Sequence, residues 1–302
     1  MNKKPLVSIV LPTFNGARYL AESIESCLNQ TFTDWELIIV DDASTDATPG
    51  IIARFCSLDK RISAIRHDTN LKLPAALNSG FSHATGDFLS WTSDDNRYRP
   101  EAIEAMLQVF ENGCETDIVY ADYSVIDSSG TVIDQVTAPD PVYLMRENVV
   151  GPVFLYRRSV HEGIGGYDTS LFLVEDYDFW LRAAASFRMC SIHRDLYLYR
   201  RHESSLSSLH FPRMIENREA TLKNNLSRLT WLPQAAMVAG WVNIAVMSRR
   251  RGDYGSCVSA LLRAMRISPR ECTMLVVHIL LNGPSVINRI IFNVDLTKCS
   301  VC

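Results

Sequence analysis

Trp35-Glu36-Leu37-Ile38-Ile39-Val40-Asp41-Asp42-Ala43-Ser44-Thr45-Asp46 is an apolar run that breaks abruptly into acids and helix-capping residues. A short, β-branched stretch of this kind fits a parallel strand buried on both faces. The polar turn after it leads into a helix over Ile51–Phe55. The same grammar precedes it. Val7–Leu11 reads as a strand, Asn15-Gly16 as a turn, and Tyr19, Leu20, Ile24, Cys27 and Leu28 recur at helical spacing. It also follows it. Ile62–Ile65 is a strand, Pro74–Ala84 a helix with proline in its first turn, and Phe88–Trp91 a strand running into Thr92-Ser93-Asp94-Asp95-Asn96. Pro100–Phe110 is a further helix and Ile118–Tyr120 a further strand. This βαβα alternation predicts an α/β fold, a mostly parallel sheet flanked by helices. Such sheets bind ligands at the carboxyl ends of their strands. Two strands end there in paired aspartates, Asp41-Asp42 and Asp94-Asp95.

Beyond residue 123 the alternation loosens. Gly163–Tyr167 is a glycine-rich turn, Leu171–Arg182 passes through Glu175-Asp176 into a helix, and Arg188–Tyr199 reads as a strand. Past about 210 the strand signal fades, which predicts one unit over 1–210 and an α-helical C-terminal region over 211–302. Trp241–Arg249 and Cys257–Ile267, joined through Gly252-Asp253-Tyr254, have the spacing of one tetratricopeptide hairpin, without a second copy.

Composition narrows the class. The chain has 302 residues, is 47% hydrophobic and 21% charged, and carries 14 Gly and 12 Pro, so it is neither disordered nor fibrous. No run of about 20 apolar residues is uninterrupted. Leu6–Leu11 is too short for a signal core. Eight cysteines scattered through a chain of this length read as reduced thiols, and the Cys299/Cys302 pair supplies too few ligands for structural zinc. A cytoplasmic location is therefore expected. Residues 1–199 hold 16 Lys/Arg against 28 Asp/Glu, whereas residues 200–302 hold 14 against 6. The basic C-terminal helices fit peripheral contact with the inner face of a membrane, and equally a solvated face, cap or dimer contact. No nucleic-acid-binding signature is present, and no nucleic-acid partner is expected.

The chemistry is carried by acids. Neither a Walker A loop nor GxGxxG follows the first strand. Paired carboxylates at a strand end suit Mg²⁺ or Mn²⁺, which take hard oxygen ligands from one or two carboxylates plus diphosphate oxygens. Capping of the next helix is the competing role for each pair.

Ser8–Gly16, Ser26-Cys27-Leu28-Asn29-Gln30-Thr31-Phe32 and Trp35–Asp46 together resemble the opening of family 2 glycosyltransferases. The resemblance continues through Gly86-Asp87-Phe88, Ser93–Asn96 and Glu175–Arg182, and covers roughly residues 6–205. It implies a GT-A fold and an inverting, metal-dependent glycosyltransferase. Such an enzyme moves a sugar from a nucleoside diphosphate, UDP favoured, to a hydroxyl of a glycan or lipid-linked acceptor in cell-surface polysaccharide synthesis. It places Pro12, Thr13 and Asn15 beside the nucleotide, Asp42 on the base, and Lys72 as a basic contact to the base. Asp94 and Asp95 take the metal and ribose contacts, with Thr92 standing where the usual first acid would be. The catalytic base falls on Asp176, with Glu175 and Asp178 as alternatives by reach. The Tyr199–Ser205 segment brings His202 as a metal ligand, and Arg or His as a diphosphate contact. Trp91 and Trp180 are expected to pack in the core. The competing functions are a sugar-phosphate nucleotidyltransferase, which the loop Pro12–Arg18 fits poorly, and a catalytically weak nucleotide-sugar-binding scaffold.

Overall fold

The structure, a computed structural model, describes residues 5–113, 115–203, 205 and 211–282. Strands β1 (Val7–Thr13), β2 (Trp35–Asp41), β3 (Ile62–Arg66) and β4 (Phe88–Trp91) alternate with helices α1 (Leu20–Leu28), α2 (Thr48–Leu58) and α3 (Leu73–His83). All three pairings among these strands are parallel. Then come β5 (Arg97–Tyr98), α4 (Ala102–Glu111), β6 (Ile118–Ile126), β7 (Val132–Val136), β8 (Phe154–Arg157), α5 (Arg158–Ile164), α6 (Glu175–Ala184) and β9 (Met189–Arg200). One sheet of order β3-β2-β1-β4-β8-β6-β9-β5 results, with β7 paired to β6. The expected α/β sheet with flanking helices is present. The first four strands are parallel, as is the pair β6–β9, while β5, β7 and β8 run antiparallel to their neighbours. The reversal into β7 is local: Asp127 accepts from the Ser129 and Thr131 amides, and Gly130 takes a φ of 90°.

Period-two alternation divides the core. Val10, Ile38 and Val40 point to one face and pack with α3 and α6. Ile9, Leu11, Leu37 and Ile39 point to the other and pack with α1, α2 and α4. Pro12 is buried in an interior strand without breaking the ladder. The Val10 carbonyl accepts from Thr92, so position 12 points its nitrogen the same way, past the last residue of β4 paired with β1.

The C-terminal region is helical: α7 (Phe211–Asn225), α8 (Gln234–Arg250), α9 (Tyr254–Ile267) and α10 (Pro269–Asn282). Leu222, Leu226, Trp241 and Ile244 join the same apolar cluster as α3 and α6. The hairpin read around Gly252 is α8–α9, and α10 adds a third helix. Trp180 is fully buried, and Trp91 packs partly buried against this core. Cys27, Cys56, Cys190, Cys257 and Cys272 are free thiols; Cys299 and Cys302 lie outside the described residues.

Gly80 sits within α3 where that helix meets β1. A Cβ there would lie 2.3 Å from Val10 Cγ1. In an open helix, glycine to alanine gains about 1 kcal/mol. Here Gly80→Ala is expected to reverse sign and cost roughly 1–3 kcal/mol through overpacking, read as a lower urea midpoint.

Candidate functional site

Parallel pairing brings the ends of β1, β2 and β4 to one edge, because Thr13 is in register with Asp41 and Val10 with Trp91. Thr13 Oγ1 donates to Asp94 Oδ2 at 2.5 Å, and the Asp42 amide donates to the Thr13 carbonyl at 2.9 Å. Gly16 makes this approach feasible, since a Cβ there would lie 2.0 Å from Asp94 Oδ2. Asn15 Oδ1 accepts from the Thr45 amide at 2.8 Å, and its own amide donates to Ser44 Oγ. The Pro12–Gly16 turn and the Asp41–Asp46 turn are thus one hydrogen-bonded unit.

Neither aspartate pair caps a helix. α2 starts at Thr48, whose amide donates to Asp46, and the Asp94-Asp95 turn is followed by β5 rather than by α4. Asp41 accepts from the Ser44 amide and pairs with Arg66. Asp42, only 4% exposed, accepts from the Leu71 and Lys72 amides at 2.8 and 2.9 Å and meets His67 Nδ1 at 2.7 Å. A carboxylate has about four lone-pair sites, so one remains for a ligand. The Lys72 side chain is exposed, while its backbone is pinned at the start of α3.

Asp94 and Asp95 sit half-buried side by side. Burial, then the neighbouring Asp95 carboxylate, pushes Asp94 up to about 7; burial also raises Asp95. Asp95 Oδ2 meets His202 Nε2 at 2.9 Å. Among the described residues no three His, Cys, Asp or Glu side chains converge to hold a metal ion. Two crowded carboxylates are nonetheless the hard, like-charged donor pair that a divalent cation relieves. Arg200 does not face this opening. It is buried, donates through Nε to the Asp95 carbonyl and through Nη2 to Glu22, and lies 4.2 Å over the Tyr19 ring.

Across the edge, α6 carries three acids with different fates. Asp178 is saturated by Arg182 at 2.6 Å and Asn225 at 3.0 Å. Glu175 is buried, its Oε2 has no hydrogen-bond partner among the described residues, and burial with the adjacent Asp176 pushes it up to about 8. Asp176 is half-buried and raised by burial. Its Oδ2 accepts from Asn148 Nδ2 at 2.9 Å and its Oδ1 from the Tyr177 amide. Of the three, Asp176 alone keeps both access and an ionisable carboxylate free of a cation.

Two contributors escape a reading of motifs. Asn148 lies far from any motif and meets Asp176 only through the fold. Phe14 is 48% exposed on the β1 turn, and its signal was an aromatic in a turn otherwise polar. Backbone strain marks the same places. The positive-φ residues other than glycine among those described are Asn15, Ala43, Lys72 and Leu173, one in each turn around the opening.

The fold is an α/β sheet with paired acids at its strand ends, and comparison with known proteins gives its class. The sequence model of glycosyl transferase family 2 matches residues 8–174, and the chain belongs to that family. It is 32% identical over 224 residues to the putative glycosyltransferase EpsE of Bacillus subtilis, covering 72% of this chain and 81% of that protein. It is 29% identical over 294 residues to an uncharacterised glycosyltransferase of Rickettsia typhi, covering 91% and 90%. Among solved structures, Staphylococcus aureus TarS 1–349 with UDP-GlcNAc superposes with a TM-score of 0.65 at 17% identity, over 95% of this chain and 88% of that one. The mannosyltransferase PcManGT of Pyrobaculum calidifontis, with GDP-Man and Mn²⁺, gives 0.59 at 15%, over 96% and 87%. These two share the GT-A fold with this chain. Of the functions open at the level of sequence, glycosyl transfer is the one the family carries.

Ala43 pays for its position with a φ of 67°. A left-handed L-residue costs about 1–2 kcal/mol and glycine's extra chain entropy about 0.5–1. Ala43→Gly is therefore expected to stabilise the protein by about 0.5–1 kcal/mol, measured as a higher urea midpoint.

Proposed function

We propose that the protein is an inverting glycosyltransferase that uses a nucleoside diphosphate sugar, UDP favoured, and Asp176 as its base. The observation that carries this is the placement of Asp176. It is the half-buried acid of α6, held by the Asn148 hydrogen bond and free of a cation, and the reading sets it on the acceptor side, opposite the Asp94-Asp95 pair. An inverting displacement needs a base on the acceptor side, opposite the departing diphosphate. Asp176 takes the proton of the acceptor hydroxyl as that oxygen bonds to the anomeric carbon and the diphosphate leaves. Its raised pKa suits it to that task near neutral pH.

The donor lies on the β1, β2 and β4 ends. The base stacks on exposed Phe14 and donates its N–H to the remaining lone pair of Asp42, with Lys72 at the rim. Thr13, Asn15 and the Pro12 carbonyl line the turn beside it. Asp94 and Asp95 would hold Mn²⁺ or Mg²⁺ against the diphosphate, with His202 at hand through Asp95. Bound there, the cation would neutralise charge building on the leaving group. The unit over 1–210 carries donor and base, and the described helices of 211–282 pack behind α6. The acceptor is a glycan or lipid-linked hydroxyl in polysaccharide synthesis, met at the cytoplasmic face of the membrane; the putative teichuronic acid biosynthesis glycosyltransferase TuaG of Bacillus subtilis, a relative, supports the polysaccharide part of this reading.

Calorimetric titration with UDP, dTDP and GDP tests the donor site. One nucleotide is expected to bind with Mn²⁺ and to lose most of its affinity with EDTA or in Asp94→Ala/Asp95→Ala. Absence of binding by all three refutes the donor site. Asp176→Asn is expected to lower kcat by about 10²–10⁴ with nucleotide affinity unchanged.

The pH profile gives an independent check. The base acts deprotonated, so kcat/KM falls as pH drops through the pKa of Asp176, and burial sets that acid limb above the ordinary carboxylate range. The Asn148 hydrogen bond lowers that pKa. Asn148→Ala therefore moves the acid limb to higher pH and reduces kcat, whereas a purely structural Asn148 would leave the limb in place.

A further inference from the structure

Helix α9 buries Ala260 and Ala264 and turns Tyr254, Val258, Leu262 and Met265 outward. At 100° per residue these four fall within an arc of about 80°. They are 69%, 55%, 53% and 39% exposed, so this is a continuous stripe rather than scattered apolar residues. On α10, Cys272 and Leu275 are buried, while Met274, Val277, Leu280 and Leu281 face outward. The two stripes adjoin, because Thr273 Oγ1 of α10 lies 4.0 Å from Met265 Sδ of α9.

Charge says what covers this face. Residues 249–282 hold six arginines against Asp253 and Glu271. Arg251 bridges to Glu219, and Arg263 lies over Trp241. Arg249, Arg250, Arg266 and Arg270 are exposed. A two-fold interface between copies would set this basic patch against itself. An anionic surface neutralises it. No helix among the described residues is long and apolar enough to cross a membrane, so the face can lie on a bilayer but not span it.

We propose that the paired outer faces of α9 and α10 dock on an anionic lipid leaflet. The apolar stripe enters the headgroup–acyl boundary by about 5–10 Å. Tyr254 sits at the polar interface, where an amphipathic ring is favoured. The exposed arginines at the end of α8 and on α9 and α10 meet lipid phosphates. This extends the lipid-linked acceptor reading above, but it depends on neither Asp176 nor the donor site.

The test is sedimentation of the full chain with vesicles of phosphatidylcholine alone and of phosphatidylcholine mixed equally with phosphatidylglycerol. Binding is expected to the anionic vesicles only, and to weaken as salt is raised. Val258→Asp/Leu262→Asp is expected to lower partitioning at least tenfold with melting temperature and nucleotide binding unchanged. The milder Val258→Ser/Leu262→Ser provides the same direction if the first variant is unstable. Arg266→Glu/Arg270→Glu is expected to lower it by about fivefold or more per arginine. Failure to sediment with anionic vesicles overturns the proposal, as does sedimentation that the α9 substitutions leave unchanged. A dimer in sedimentation equilibrium that Val258→Asp/Leu262→Asp dissolves, without vesicle binding, assigns the face to a second copy and also overturns it. Nucleotide binding in the same preparations separates these outcomes from failure of the donor site.

Discussion

The guanidinium of Arg200 joins the two halves of the sheet. The first half, β1 to β4, is parallel and ends at the donor edge. The second is mixed and ends with β9. Arg200, the last residue of β9, donates to the Asp95 carbonyl, to Glu22 on α1, and to the Asp127 and Ser128 carbonyls of the β6–β7 turn. Its amide donates to Asn96, and Tyr19 lies beneath its plane. A buried cation is costly unless its donors are satisfied, and removing one partner of such a pair strands the other. Here three carbonyls from two segments and one carboxylate satisfy it. The Asp94-Asp95 turn is held in place from behind, so its carboxylates face forward without needing a helix cap.

That arrangement concentrates negative charge. Asp41, Asp42, Asp94 and Asp95 all lie at neighbouring strand ends, and the chain handles them unequally. Asp41 receives Arg66, and Asp42 accepts from two amides and meets His67, which leaves it one lone-pair site. Asp94 has Thr13 and Asp95 has His202, and both are pushed upward in pKa. Asp41 builds the turn, Asp42 is oriented by it with one site open, and the second pair is left with unrelieved repulsion. Such unequal treatment of similar acids separates scaffold from chemistry. The same division recurs on α6, where Asp178 is consumed by Arg182 and Asn225 while Asp176 remains available.

The parallel half of the fold was legible because each strand is a continuous apolar run closed by a polar turn, a signal confined to a few neighbouring residues. Of the mixed half, β6 and β9 were legible at Ile118–Tyr120 and Arg188–Tyr199, whereas the antiparallel strands β5, β7 and β8 were not. β7 is exposed and reads Val132-Ile133-Asp134-Gln135-Val136, too weak in period to stand out, and β8 is four residues long. The site followed the same rule. Thr13, Asn15, Asp42, Asp94 and Asp176 sit in motifs. Asn148 acts across 28 positions in sequence, and no spacing rule connects it to Asp176. Arg200 belongs to the Tyr199–Ser205 segment, whose Arg or His the sequence suggests as a diphosphate contact. Its burial depends on α1 and the β6–β7 turn, which arrive from distant parts of the chain.

The helical C-terminal region is tied to the α6 side of the site by specific contacts. Asn225 of α7 donates to Asp178, two residues from Asp176, and Trp231 donates to the Ala184 carbonyl at the end of α6. Leu226 and Trp241 then continue the apolar cluster that holds Phe179 and Trp180. The helix bearing Asp176 is therefore fixed at both ends by residues beyond 210. A face on α9 or α10 that rests on a bilayer would be linked to the acceptor side of the opening through packed helices rather than through a mobile strap.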